Sequence, residues 1–130
     1  MIILTVRTDS PEAEIGVYKD RQQLAYKKWH ADRQLAETLH QEIHKLLQSQ
    51  QLDWGDIQGA VCYKGPGSFT GLRIGAIVVN TLGYSLAIPV VASDNTDWIE
   101  TGVSHLLAGE DQKIVNPEYG SPPHITQPKK

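Results

Sequence analysis

Eleven residues, GPGSFTGLRIG from Gly65 to Gly75, carry the clearest chemical signal in this chain. They follow a short apolar run, Gly59 to Tyr63, and lead into a segment of helical periodicity, Thr70 to Leu86. A glycine-rich turn that opens a helix has two uses. Its backbone N–H groups can hold an anion such as phosphate, or its glycines can let two backbones approach closer than a side chain allows. Gly65, Gly67, Ser68 and Thr70 are the candidates for either role. A P-loop closes on Gly-Lys-Ser/Thr, whereas Gly71 here precedes Leu72 and Arg73. Tight packing is therefore favoured over phosphate binding. Gly65 and Gly67 then shape the turn, Pro66 fixes one dihedral, and Ser68 or Thr70 caps the helix.

Other reactive residue types are weaker signals. Ser68 lacks the Gly-x-Ser-x-Gly elbow of a nucleophile, and capping is its simpler role. His40 and His44 stand one turn apart, but HQEIH is not the HExxH zinc pattern and no third ligand is evident. They are expected to flank an apolar helix stripe, and no metal or cofactor is assigned. Arg73, early in its helix, faces either a partner's carboxylate or phosphate, or solvent. Trp29, Trp54 and Trp98 read as core or edge aromatics. Lys27, Lys28 and Lys45 are too few and dispersed for a nucleic-acid surface.

Those residues need a scaffold, and 130 residues with 40% hydrophobic content suit one domain. A formal net charge of -3 argues against a strong nucleic-acid binder acting alone. The single cysteine, Cys62, forms no internal disulfide and reads as a small core residue in a reduced compartment. Met1 to Val6 is too short for a signal-peptide core and no stretch is long enough to span a membrane, so a cytoplasmic location is expected.

Ile2 to Val6 reads as a first strand, and Glu14 to Lys19 with Gln22 to Trp29 as a hairpin around Asp20-Arg21. Asp32 is expected to cap a long helix that runs to about Gln50, with Leu35, Ala36, Leu39, Ile43, Leu46 and Leu47 on one stripe. Leu52 to Asp56 connects it to the Gly59 strand. The glycine turn, the second helix and a strand at Ile88 to Ala92 then make a right-handed parallel crossover, and Thr96 to Ala108 reads as a last helix. Residues 109–130 hold four of the seven prolines and read as an irregular tail, leaving 1–108 as the folded unit. This predicts an α/β fold: a five-stranded mixed sheet with helices on both faces.

Three antiparallel strands followed by helix–strand–helix–strand resemble the ribonuclease H-like half of the actin-like ATPase superfamily. Ile3-Leu4-Thr5-Val6, His30-Ala31-Asp32-Arg33, GPGSFTGLRIG and Ala87-Ile88-Pro89-Val90-Val91 look like the bacterial TsaB (YeaZ) family over roughly residues 1–100. The resemblance implies a non-catalytic partner of the larger paralogue TsaD in threonylcarbamoylation of a tRNA adenosine beside the anticodon. It implies pairing through amino-terminal helices, and an ATPase, TsaE, joining the complex. The chain departs from the pattern in three places. A brief tail stands where relatives usually carry a second domain, although Asn116-Pro117-Glu118-Tyr119 resembles their Pro-x-Tyr ending, as in a shortened form. Arg7 replaces the superfamily's aspartate after the first strand, with Asp9 shifted by two. Asn95 and Ile99 fall where the paralogue has its metal-binding His-x-x-x-His. These differences argue against autonomous phosphoryl or carbamoyl transfer.

The second helix supplies the case for a partner. Gly71, Leu72, Gly75, Val78, Val79, Leu82, Gly83 and Leu86 share one face, which suits close packing on a sheet. Ile74, Ile77, Thr81 and Tyr84 form a second stripe with the spacing of a helix–helix seam. Two apolar faces require two neighbours. One is the sheet. The other is the long helix, a partner chain, or both in a shared bundle. The expected partner-binding residues are Leu39 and Ile43 on the first helix and Arg73, Ile74, Ile77, Thr81 and Tyr84 on the second. The expected partner is TsaD; a homodimer is the alternative assembly, and a small nucleotide-binding protein using Asp9 and the Gly65 turn is the alternative function.

Overall fold

The computed structural model describes residues 1–118. Five strands and three helices follow the expected order: β1 (Ile2–Arg7), β2 (Glu12–Lys19), β3 (Gln22–His30), α1 (Leu35–Ser49), β4 (Gly59–Tyr63), α2 (Phe69–Leu86), β5 (Val90–Ser93) and α3 (Trp98–Leu107). They form one sheet in the order β3-β2-β1-β4-β5. β2 runs antiparallel to both of its neighbours, β3 and β1, while β1, β4 and β5 are parallel.

Period-2 alternation decides which residues meet which helix. Leu4, Val6, Ile15, Val17, Ala60, Cys62 and Val90 face α1 and α2. Ile3, Val61 and Val91 face α3 through Trp98, Val103 and Leu106. Leu35, Leu39, Ile43 and Leu47 of α1 are buried in the first of these layers. Burying side chains of that size stabilises by about 1.5–3 kcal/mol each. Ala36, placed on the same stripe from sequence, is exposed, and Leu46 is half-buried.

Two of the boundary shifts have clear local reasons, and Gln34 rather than Asp32 is the N-cap of α1. α1 is preceded by a 3₁₀ turn, Asp32–Gln34, so the α-helical hydrogen bonding starts at Leu35. β5 starts at Val90 rather than Ile88, because Ala87 ends α2 in the left-handed conformation at φ 54° and Pro89 has no N–H for a ladder.

Residues 109–118 carry no helix or strand and pack on the body as a strap. Gln112 N donates to Val90 O at 2.9 Å, and Glu118 N donates to Lys64 O at 2.6 Å. Val115 N donates to Asn80 Oδ1 at 2.8 Å, and Asn80 Nδ2 returns a bond to Val115 O at 3.1 Å. Val115 is buried in the α1–α2 layer. Tyr119, the end of the Pro-x-Tyr resemblance, lies outside the described residues with the remainder of the tail.

Candidate functional site

Each of the four glycines in the Gly65–Gly75 motif stands where a methyl group would strike a neighbour. A Cβ on Gly65 would meet Glu118 O, and one on Gly67 would meet Asp9. Cβ atoms on Gly71 and Gly75 would meet the carbonyl and the hydroxyl of Thr8. Gly65 also has φ 116°, which side-chain-bearing residues rarely adopt. The motif therefore clamps the end of β1, and Thr8 sits at the centre of the clamp. Sequence reasoning missed Thr8. The spacing Gly71-x-x-x-Gly75 signalled a close approach without revealing to what.

The start of α2 has largely consumed its own polar groups. Ser68 N donates to Asp9 O at 2.9 Å, Leu72 N donates to Ser68 O at 2.9 Å, and Gly71 N reaches Ser68 Oγ at 3.4 Å. Ser68 is thus the capping residue, while Thr70 is exposed on the first turn. Asp9 is committed too. Arg7 donates to both of its carboxylate oxygens, from Nε at 2.8 Å and Nη2 at 3.1 Å. The guanidinium also lies 4.0 Å above the Tyr63 ring and 4.0 Å from Glu14. Its pKa is raised, chiefly by the Asp9 hydrogen bond against the opposing cost of burial. Asp9, the acidic group nearest the Gly65 turn in the sequence reading, is held in a closed, partly buried ion pair.

Other reactive candidates are likewise occupied. His40 and His44 stack on Trp54, with ring centroids 4.7 and 6.0 Å apart. Among the described residues no cluster of three or more His, Cys, Asp or Glu side chains has the arrangement to hold a metal. Asn95 lies in a left-handed turn and bonds Asp94 at 3.1 Å, while Ile99 packs beside the α3 layer. Burial pushes the Cys62 thiol up to about 12. Lys27 is paired with Glu42 and Lys28 with Glu12.

The outer face of α2 is different. Arg73, Ile77, Thr81 and Tyr84 fall within about 80° of arc, and all four are exposed, Ile77 by 54% and Tyr84 by 91%. Phe69 continues the apolar exposure at the helix start. Ile74 is half-buried against the body, so it belongs partly to the core. Leu39 and Ile43 correct the expectation for α1. Both are fully buried, because the sheet and α2 cover the part of the α1 stripe that carries them, so neither is open to a partner.

The strap adds residues that the α2 periodicity could not include. Ile114 is 62% exposed and lines, with Asn80, Gly83, Tyr84, Ile88 and Lys113, a groove of about 550 Å³ beside the ridge. Ile114-Val115, two branched apolar residues in a polar tail, were its available signal.

The model of the family described as TsaD: tRNA N6-adenosine threonylcarbamoyltransferase matches residues 29–110. The chain belongs to this family. Within the TsaD family it is TsaB-like. It is 36% identical over 63 residues to the tRNA threonylcarbamoyladenosine biosynthesis protein TsaB of Bacillus subtilis (strain 168), covering 48% of this chain and 28% of that protein. YeaZ from Pseudomonas aeruginosa superposes with a TM-score of 0.68 at 23% identity, over 83% of this chain and 50% of that one. RuvC of T. thermophilus, solved with a Holliday junction substrate, superposes with a TM-score of 0.53 at 10% identity, over 91% of this chain and 84% of that one. The fold is thus the α/β ribonuclease H-like fold of the actin-like ATPases. The matches span half or less of the TsaB and YeaZ chains.

Proposed function

We propose that this chain is a non-catalytic interaction subunit in tRNA threonylcarbamoyladenosine biosynthesis. It pairs with a TsaD-type paralogue through the outer face of α2 and positions no reacting atom itself. The observation that carries this reading is the exposed Ile77–Tyr84 ridge on a chain of the TsaD family. Exposed apolar groups aligned on one helix face favour a protein partner. Arg7, Ile77, Thr81 and Tyr84 divide the labour: the arginine neutralises Asp9, while the three α2 residues, with Arg73 at the ridge's charged end, meet the partner. Ile74 contributes the part of its side chain that the core leaves open.

The pairing of Lys27 and Lys28 with carboxylates supports contact with tRNA through the partner rather than directly. A cytoplasmic location goes with this role. Recruitment of a TsaE-type ATPase belongs to the assembled complex, and a homodimer through the same ridge is the assembly available when the paralogue is absent.

Co-purification with the paralogue tests the reading. Tyr84→Asp or Ile77→Asp should lower affinity at least 30-fold, about 2 kcal/mol for a central contact. Normal pairing by both variants would remove α2 from the interface. The nucleotide-binding alternative is opposed by the Arg7–Asp9 pair. Calorimetric titration with millimolar ATP and Mg²⁺ decides it, and a saturable heat would reinstate it.

A further inference from the structure

β5 is the last strand of the sheet, yet its outer edge is not bare. Inward-facing backbone is marked by Ala60 N donating to Pro89 O and Lys64 N donating to Ser93 O. By alternation Val91 also faces β4, while Val90 and Ala92 face out. Val90 N donates to the Asp111 carboxylate at 3.1 Å, Ala92 N donates to the Gln112 side-chain oxygen at 3.1 Å, and Val90 O accepts from Gln112 N at 2.9 Å. Two of these three partners are side chains. They satisfy the edge as a strand would, but they offer no row of backbone groups on their far side.

The strap is also anchored away from the edge. Its start is pinned by His105 Nδ1 and Glu110 Oε2 at 2.6 Å, its middle by the reciprocal Asn80–Val115 bonds, and its described end by Glu118 N on Lys64 O. The anchors come from α3, α2 and the residue that follows β4, so the strap covers β5 at Val90 and Ala92 and crosses to the α2 side. Val90-Val91 gives this strand high β propensity at its start, and an open edge of that kind is a template for pairing with another copy.

We infer that residues 110–118 are an edge-blocking strap, holding the position of a sixth strand with groups that cannot template a seventh. The occupant it excludes is the β5 edge of a second copy of this chain. The β5 edge it covers is distinct from the exposed Ile77–Tyr84 face of α2.

The test uses the full chain carrying Tyr84→Asp, which disables the α2 route to self-association, with and without Asp111→Ala and Gln112→Ala. Amide exchange at Val90 and Ala92 should accelerate about tenfold or more as local protection is lost, with Val91 unchanged. Mass by light scattering should then rise with protein concentration only in the strap variant. Unchanged exchange at Val90 and Ala92 would overturn the inference, because the strap would not be what protects them. Faster exchange with unchanged mass would overturn it as well, since the uncovered edge would not recruit a second copy. Should the double variant lose its circular dichroism signal, the single variant Gln112→Ala, which removes only the side-chain cover of Ala92, replaces it; faster exchange at Ala92 with rising mass supports the strap, and unchanged exchange there or unchanged mass sinks it.

Discussion

Thr8 Oγ1 donates a buried 2.7 Å hydrogen bond to the carbonyl of Gly71, one turn inside α2. The bond draws the helix onto the end of β1 so closely that neither Gly71 nor Gly75 has room for a side chain. A helix normally spends that carbonyl on an amide four residues later, and a carbonyl's second lone pair accepts the hydroxyl as well. Thr8 thus explains a motif whose glycines alone suggested an anion.

Replacing either helical glycine should therefore destabilise. Gly71→Ala or Gly75→Ala puts a methyl group into Thr8, with an expected loss of about 1–3 kcal/mol. Gly55→Ala, where a Cβ meets nothing within 4 Å, is the control and should leave stability within about 0.5 kcal/mol. Urea unfolding of the three variants checks the pattern, and equal losses at Gly55 and Gly71 would contradict it.

Core and ridge residues should separate cleanly by phenotype. Leu39→Ala removes a fully buried side chain and should cost about 2–5 kcal/mol of stability. Tyr84→Ala, at 91% exposure, should leave stability within about 0.5 kcal/mol while weakening pairing. Thermal melts alongside pull-down with the paralogue distinguish the two.

Breaking the Arg7–Asp9 pair tests whether it closes the site. Arg7→Gln removes a bidentate, charge-assisted contact and should cost about 1–3 kcal/mol. It also leaves Asp9 with unpaired oxygens beside the Gly65 turn. Mg²⁺ titration monitored by Asp9 chemical shifts should show weak binding in the variant and none in the parent; binding by the parent would show that the arginine does not occupy that carboxylate.

The strap should loosen in acid. Burial raises the Asp111 pKa, but hydrogen bonds from Lys113 N and Val90 N, with the Lys113 charge, outweigh it and leave the value below its ordinary 3.8. A depressed folded value means that its stabilisation is complete well above pH 3.8 and is lost as pH falls through the folded value. Val90 amide exchange, corrected for intrinsic rate, should rise over that acid window and become flat in Asp111→Asn.

Cys62 should be silent in the native state. Its burial and its thiol pKa of about 12 leave almost no thiolate at pH 8. Iodoacetamide should label it only after denaturation. Rapid native labelling would show that β4 opens locally.

Much of this architecture was legible because strands and helices announce themselves locally. Gly59–Tyr63 was bounded by polar residues and glycines, and its observed limits agree with the reading. Gln22 and Lys19 bracket a hairpin whose turn residue, Asp20, adopts φ 53°, as an Asp in a tight turn does readily. The functional surface was less legible. Leu39, Ile43 and Ile77 are the same kind of residue on the same kind of helix, and periodicity states that a stripe must be covered without stating by what. His40 and His44 show the converse, since their stacking on Trp54, supplied by the following loop, is not legible in their i, i+4 spacing.

By itself the amino-acid order determined the succession of elements, the α/β class and the turn at Gly65, because each depends on hydrogen-bonding periods and dihedral preferences within a few residues. Tertiary structure alone decided that α1 spends its apolar stripe on the sheet, that α2 keeps Ile77 and Tyr84 in water, and that a polar tail closes the β5 edge. Those outcomes depend on which surfaces meet across long chain separations, where burial and backbone satisfaction are settled between elements rather than within them.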